Sequence, residues 1–212
     1  MNNNLLRFNK NQRYIFFDFE TCSLNLGSTD NKPWQLGYIV IEKGKIIKQK
    51  DCWLRWKDLK MSAAAAKMTG WTQQKYDRLG QDPMKVLEDF ESYLYNDEYI
   101  NVGHNILGFD IYIHGIYRQC LGIKPDYSYV SRSIDTVCIA KALKNDIKFS
   151  GDDFISWQYQ LNNMIDRKSK KKLIDLCKHY EIDFDPNKLH DAMYDIERNY
   201  EVFKKMIWEI DI

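Results

Sequence analysis

The stretch Tyr14-Ile15-Phe16-Phe17-Asp18-Phe19-Glu20 constrains the fold more than any other part of the chain. Four consecutive apolar residues suit a strand covered on both faces, an interior position in a sheet with helices packed against it. Two carboxylates then follow in the same extended register. Residues two apart in a strand point to one side, so Asp18 and Glu20 present both acids to one point in space. Burying two unpaired like charges is costly and raises their pKa values. Such a pair reads in two ways. It is a strand end with ordinary acids, one of them capping a neighbour, or it is a pair gathered round a divalent cation. Hard ions such as Mg²⁺ and Mn²⁺ take carboxylate oxygens.

The segments that follow predict how this strand is covered. Residues 21–33 are rich in turn formers and predict a surface loop. A hairpin follows, with strands near 35–42 and 45–54 and a turn at Glu42, Lys43 and Gly44. MSAAAAKMTG, 61–70, predicts a short helix capped by Ser62 and closed by Gly70. Asp82 and Pro83 open another, running to about Tyr95 with Val86, Leu87, Phe90, Tyr93 and Leu94 at helical spacing. A strand over 99–104 precedes a helix over 108–120, and Asp135-Thr136 starts a helix reaching Leu143. Residues 145–170 have uneven apolar spacing and support no assignment. A helix over 171–180 comes next. The last, over 189–208, is the clearest, with Leu189, Ala192, Met193, Ile196, Tyr200, Phe203 and Ile207 on one face. A meander followed by strand–helix units predicts an α/β fold, a mixed β-sheet flanked by α-helices. The 212 residues suit one domain over 12–212 behind an N-terminal tail, 1–11.

Composition narrows the class. Apolar residues are 44% and charged residues 29%, a profile of a folded domain rather than a disordered chain. No run of apolar residues is long enough to span a membrane, and MNNNLLRFNK lacks the apolar core of an export signal. The five cysteines (Cys22, Cys52, Cys120, Cys138 and Cys177) are odd in number and scattered. Reduced thiols and a cytoplasmic location are therefore expected. Net charge is only +1, but RKSKKK at 167–172 concentrates five positive charges. That run reads equally as a solvated surface or as a patch contacting phosphates.

Two further segments carry acids. NVGHNILGFD places Asp110 in the first turn of a helix just after a strand, and LHDAMYD places His190 and Asp195 at the start of the last helix. Strand and helix ends on one edge of an α/β sheet are where functional groups gather. Singly, each residue has an ordinary explanation. Asp110 is a helix-start acid favoured by the dipole, Asp195 a polar-face acid, and His190 a surface histidine.

DFET, NVGHNILGFD and HDAMYD together resemble the three motifs, in order, of the DEDD (DnaQ-like) 3′–5′ exonucleases, which have a ribonuclease H-like fold. The resemblance covers about residues 12–208. It implies that Asp18 and Glu20 are the acids of the first motif, Asp110 that of the second and Asp195 that of the third. The family divides by its general base, a histidine five residues before the last Asp or a tyrosine four before it. Here those positions are His190 and Asp191, so the chain resembles the histidine subclass. IDTVCIAKAL resembles the family's Asp-Thr helix start. AAAAKMTG resembles its alanine-rich helix, with Met68-Thr69 preceding Gly70 where a His-Gly pair is usual.

The resemblance implies two divalent cations, Mg²⁺ or Mn²⁺, about 3.5–4 Å apart. Asp18 would bridge them, Glu20 and Asp195 would hold the ion on the side of the attacking water, and Asp110 would position the other. His190 would take the proton from that water, since an imidazole exchanges protons near neutrality. For the terminal nucleotide, the backbone at Thr21, Cys22 and Ser23 is implied, with Asn105 orienting the second-motif turn or touching substrate. Phe109 reads as a stacking wedge or as core, with the same choice open for Trp34 and Trp71; His104 reads as structural. The expected partner is a nucleic-acid 3′ end, single-stranded or frayed, with DNA favoured over RNA and nucleoside 5′-monophosphates released. An exoribonuclease of the same family and an inactive binding subunit are the alternatives. A polymerase partner is compatible with the family, but nothing in the chain resembles a polymerase domain or a clamp-binding tail.

Overall fold

The computed structural model describes residues 5–151, 153–165 and 172–212. Apart from Lys172, the basic run lies outside the described residues. Three strands open the chain: β1 (Arg13–Thr21), β2 (Pro33–Glu42) and β3 (Lys45–Leu54). After them come α1 (Ala63–Thr69), α2 (Gln73–Leu79), β4 (Gly80–Gln81), α3 (Pro83–Leu94), β5 (Tyr99–Gly103) and α4 (Asp110–Cys120). The remainder is β6 (Ser133–Asp135), α5 (Thr136–Lys144), α6 (Phe154–Asn163), α7 (Leu173–His179) and α8 (Ala192–Met206). The sheet order is β4-β3-β2-β1-β5-β6. β1 to β3 form an antiparallel meander, and β5 lies parallel to β1 and to β6. This is the mixed, helix-flanked sheet of the ribonuclease H-like fold.

β1 is an interior strand, and its side chains alternate between two aromatic layers. Tyr14 and Phe16 pack edge-on against Phe203 of α8, each with ring centroids 5.4 Å apart. Phe17 and Phe19 point the other way, to Phe90 of α3 at 5.3 and 6.0 Å. Two-residue periodicity then puts Asp18 and Glu20 on the α8 side. Where the aromatic layer stops, the acids begin.

Gly37 decides how close α8 comes. It pairs with Asp18 across the β1–β2 ladder. A Cβ there would lie 2.7 Å from Ile196 Cδ1 and 3.0 Å from the Ala192 carbonyl carbon. The bare backbone lets the first turn of α8 rest directly on the sheet. Gly37→Ala is expected to push that turn outward and to lower stability by about 1–3 kcal/mol in a denaturant melt.

The structure departs from the sequence expectations in several places. α8 starts at Ala192, not 189, because Asp191 caps it by accepting from Tyr194 N at 2.9 Å. His190 just before it has φ 65°, outside helical space. α4 starts at Asp110; residues 106–109 form the turn before it. α2 and β4 had no counterpart, since α2 buries only Tyr76 and carries no apolar stripe. α6 falls in the unassigned stretch and buries a glutamine, Gln158, beside Leu161. Near the N-terminus, Leu6–Phe8 forms a 3₁₀ turn tied to the chain's other end: Leu6 N donates to Ile212 O at 2.8 Å and Arg7 pairs with Asp211 at 2.6 Å.

Candidate active site

Three elements meet at the C-terminal end of β1. The strand supplies Asp18 and Glu20, and a register shift between Glu20 and Thr21 ends regular pairing just beyond them. A bulge of this kind re-aims a strand's last side chains. α4 supplies Asp110, only 2% exposed, whose Oδ1 accepts from Phe19 N at 3.0 Å. The second-motif acid is thus bound to the backbone between the two first-motif acids. α8 supplies Asp195, whose Oδ2 accepts from His190 N at 3.2 Å.

That last bond shapes the loop before α8. A positive φ is uncommon outside glycine, although histidine and asparagine tolerate it better than most residues. At His190 it turns the chain so that the amide faces Asp195 while the imidazole stays exposed. Among the described residues, ligand atoms of Glu20, His190 and Asp195 all lie within 4.8 Å of one another.

The electrostatics are those of an uncompensated acid cluster. Burial, then the charges of Asp110, Glu20 and Asp195, hold the Asp18 carboxyl well above the usual range. Glu20 is raised by burial and by Asp195 and Asp110. Burial pushes Asp110 up to about 8 despite the Phe19 amide, and Asp195 up to about 7 despite the His190 amide. Asp195 Oδ1 is buried with no hydrogen-bond partner among the described residues. A buried, unpartnered carboxylate oxygen among three other acids fits a cation with oxygen ligands. The donor set of four carboxylates suits a hard divalent ion such as Mg²⁺ or Mn²⁺.

The turn carrying Asp110 is held by a residue the sequence marked only as a helix start. Asp135 is fully buried and accepts from Asn105 N (2.9 Å), Leu107 N (3.0 Å) and Val137 N (2.8 Å). Next to it, Thr136 Oγ1 lies 3.0 Å from His104 Nδ1 and donates to Asn199 Oδ1 at 2.9 Å, joining this turn to α8. An Asp-Thr pair at a strand–helix junction was the available signal. Gly37, a glycine inside a strand pattern, was another.

The expected substrate residues are placed as follows. Asn105 has φ 66°, is exposed, and lines a cavity of about 690 Å³ with Asp18, His104, His190 and Asp195. Thr21 is buried, its hydroxyl donating to Ser23 O at 2.5 Å. The Cys22 and Ser23 amides are engaged within the loop, donating to Lys32 O (3.3 Å) and Asn31 Oδ1 (2.9 Å). The Cys22 side chain belongs to a small apolar cluster with Trp34, Trp53 and Tyr76, against which Trp71 packs. Phe109 is half-buried against the main core.

Known proteins resemble this chain in family and fold. The chain matches the exonuclease (RNase T) family profile over residues 15–203. No curated protein sequence matches it. Among solved structures, E. coli exonuclease I in complex with a dA16 oligonucleotide superposes with a TM-score of 0.70 at 18% identity, over 93% of this chain and 41% of that one. The same enzyme with a dT13 oligonucleotide gives 0.70 at 17%, again over 93% and 41%. A product-bound exonuclease I gives 0.68 at 16%, over 94% and 44%. At such identities the likeness is one of fold, and this chain spans about two-fifths of the structures it matches. The family profile encloses all four acids and His190, and the chain belongs to the DEDD (DnaQ-like) exonuclease family, in its histidine subclass.

Proposed function

We propose that this chain is a metal-dependent 3′–5′ exonuclease that removes nucleoside 5′-monophosphates from single-stranded or frayed DNA. One observation carries the reading: four buried or half-buried carboxylates from three elements converge with an exposed histidine, and one of their oxygens has no partner among the described residues. Asp18, Glu20, Asp110 and Asp195 would hold two divalent cations, with Asp18 most central because each of the other three raises its pKa. When bound, such ions supply Lewis-acid polarisation of the phosphodiester and stabilise developing charge. The chain's own residues do the rest. Asp110, locked to the Phe19 amide, fixes its carboxylate relative to β1. Asp195 aims the His190 backbone, and the imidazole takes the proton of the attacking water.

His190→Ala is expected to lower kcat by about 10²–10⁴-fold, the usual contribution of a positioned base, with KM changed far less. Equal changes in both would make His190 a binding residue instead.

DNA is favoured over RNA as substrate because two of the structural relatives named above were solved with deoxyoligonucleotides. Cleavage rates on DNA and RNA strands of matched sequence test this. Faster cleavage of DNA is expected; RNA cleaved as fast or faster would transfer the reading to an exoribonuclease. A cytoplasmic location is part of the same proposal, consistent with five free cysteines.

A further inference from the structure

A second concave surface adjoins the catalytic cavity. It is a cleft of about 570 Å³ between the α1–α2 corner and the start of α8, and it shares Leu189 with the cavity holding Asp18 and His190. Three lysines line it: Lys67 from α1, Lys75 from α2 and Lys188 from the turn before α8. All three are exposed. More than a hundred residues separate the first two from the third, so the fold brings them together and not a local run of basic sequence.

Their place beside the catalytic cavity sets them apart. Among the described residues some lysines pair with acids, Lys32–Asp58 (2.6 Å), Lys48–Asp89 (2.5 Å) and Lys204–Glu201 (2.7 Å), while others such as Lys43 and Lys85 make no ion pair. Among the described residues, Lys67 and Lys75 make no ion pair, and Lys188 only rests over the Tyr194 ring at 5.8 Å. The cleft also contains two acids, each hydrogen-bonded to an uncharged donor, which offset part of the lysine charge. Asp191 caps α8, and Glu197 Oε1 accepts from Gln49 Nε2 at 2.8 Å. An exposed methionine, Met68, forms part of the wall. Three exposed ammonium groups outnumber the two carboxylates above a partly apolar wall, which suits a flexible polyanion whose bases rest on the wall while its phosphates meet the amines.

We propose that this cleft holds the phosphate backbone of the strand whose 3′ end occupies the catalytic cavity, with Lys67, Lys75 and Lys188 each contacting phosphate. This rests on the reading of the chain as a nucleic-acid enzyme and adds a strand-holding surface to it. Because lysine is a point charge without base readout, the contact is independent of sequence.

Fluorescence anisotropy in EDTA, with a labelled oligothymidylate of twelve nucleotides and another of two, tests it across a salt series. Single-strand binding loses about 0.7 in the slope of log K against log salt for each phosphate contact removed. The triple variant K67Q/K75Q/K188Q should therefore have a slope shallower by about 2 on the long strand. Between 50 and 200 mM salt, its affinity should fall about twenty-fold less than that of the unaltered chain. The corresponding triple arginine variant should keep the original slope, and the two-nucleotide ligand should show little change. An unchanged slope in the glutamine variant, or an equal change on both ligands, would overturn the proposal. Cleavage by the unaltered chain is scored separately, so failure of the enzymatic reading and failure of this one are distinguishable.

Discussion

Asp18→Ala abolishes cleavage while leaving the fold in place. The carboxylate lies at the electrostatic centre of the site, with Glu20, Asp110, Asp195 and Asp191 all raising its pKa. Without it, the other acids cannot assemble a shared cation site, and the polarisation supplied by the ions is lost. A loss of at least about 10³-fold, equivalent to about 4 kcal/mol of transition-state stabilisation, is expected in Mg²⁺ or Mn²⁺. The fold survives because Asp18 contributes no packing to the aromatic layers, which end at Phe16 on one side and Phe19 on the other. In EDTA near pH 8 the variant should melt no lower than the parent, since a buried charge repelled by its neighbours has been removed. Circular dichroism and a thermal melt beside the activity assay check both halves. Retained cleavage by the purified variant would contradict the metal site.

Cation-free protein loses stability as pH rises from about 4 to 8, and divalent cations reverse this. Asp110 is raised to about 8 and Asp195 to about 7 in the folded chain, whereas an unfolded aspartate titrates near 3.9. Between those values the folded state holds protons that the unfolded state has released, so unfolding becomes easier as pH increases. Stability from these groups is fully present below the unfolded pKa and gone above the folded one. Each contributes on the order of a few kcal/mol across the window. Asp89 and Glu91 have lowered values, held by Lys48 and by His114 and Arg118. Their stability is lost only on acidification below about pH 4, outside the window. Melting temperatures in EDTA from pH 5 to 8 should fall steadily. Mn²⁺ should flatten the fall and stabilise most at pH 8, where the acids are ionised and bind best. A cation-free melting temperature that rises through the window would contradict the clustering of the acids.

How much of this was legible in the sequence depended on the range of the interaction. The alternation of β1 and the acids at its end could be read directly, because strand periodicity is local. Asp82 and Ser62 were readable as caps for the same reason, and both accept amide hydrogen bonds as expected. The start of α8 was not. Leu189 extends the apolar period, but the left-handed φ of His190 and the Asp191 cap hold the helix start back to Ala192, three residues later. α6 was invisible because it docks through a polar residue: Gln158 accepts from Asp135 N and donates to Ser133 O, both at 2.8 Å. The tie between Asp110 and Phe19 spans 91 residues, and no local pattern encodes it. Gly37 is the same kind of case. Its role is to have no side chain where a distant helix lands.

The most direct test is a single-stranded deoxyoligonucleotide labelled either at its 5′ or at its 3′ end, incubated with the purified chain in Mg²⁺, Mn²⁺ or EDTA. The account predicts that the 5′ label runs down a ladder one nucleotide at a time, that the 3′ label is released first as a mononucleotide, and that EDTA stops both. Release of the 5′ label first, internal cleavage, or no cleavage with either ion would contradict it.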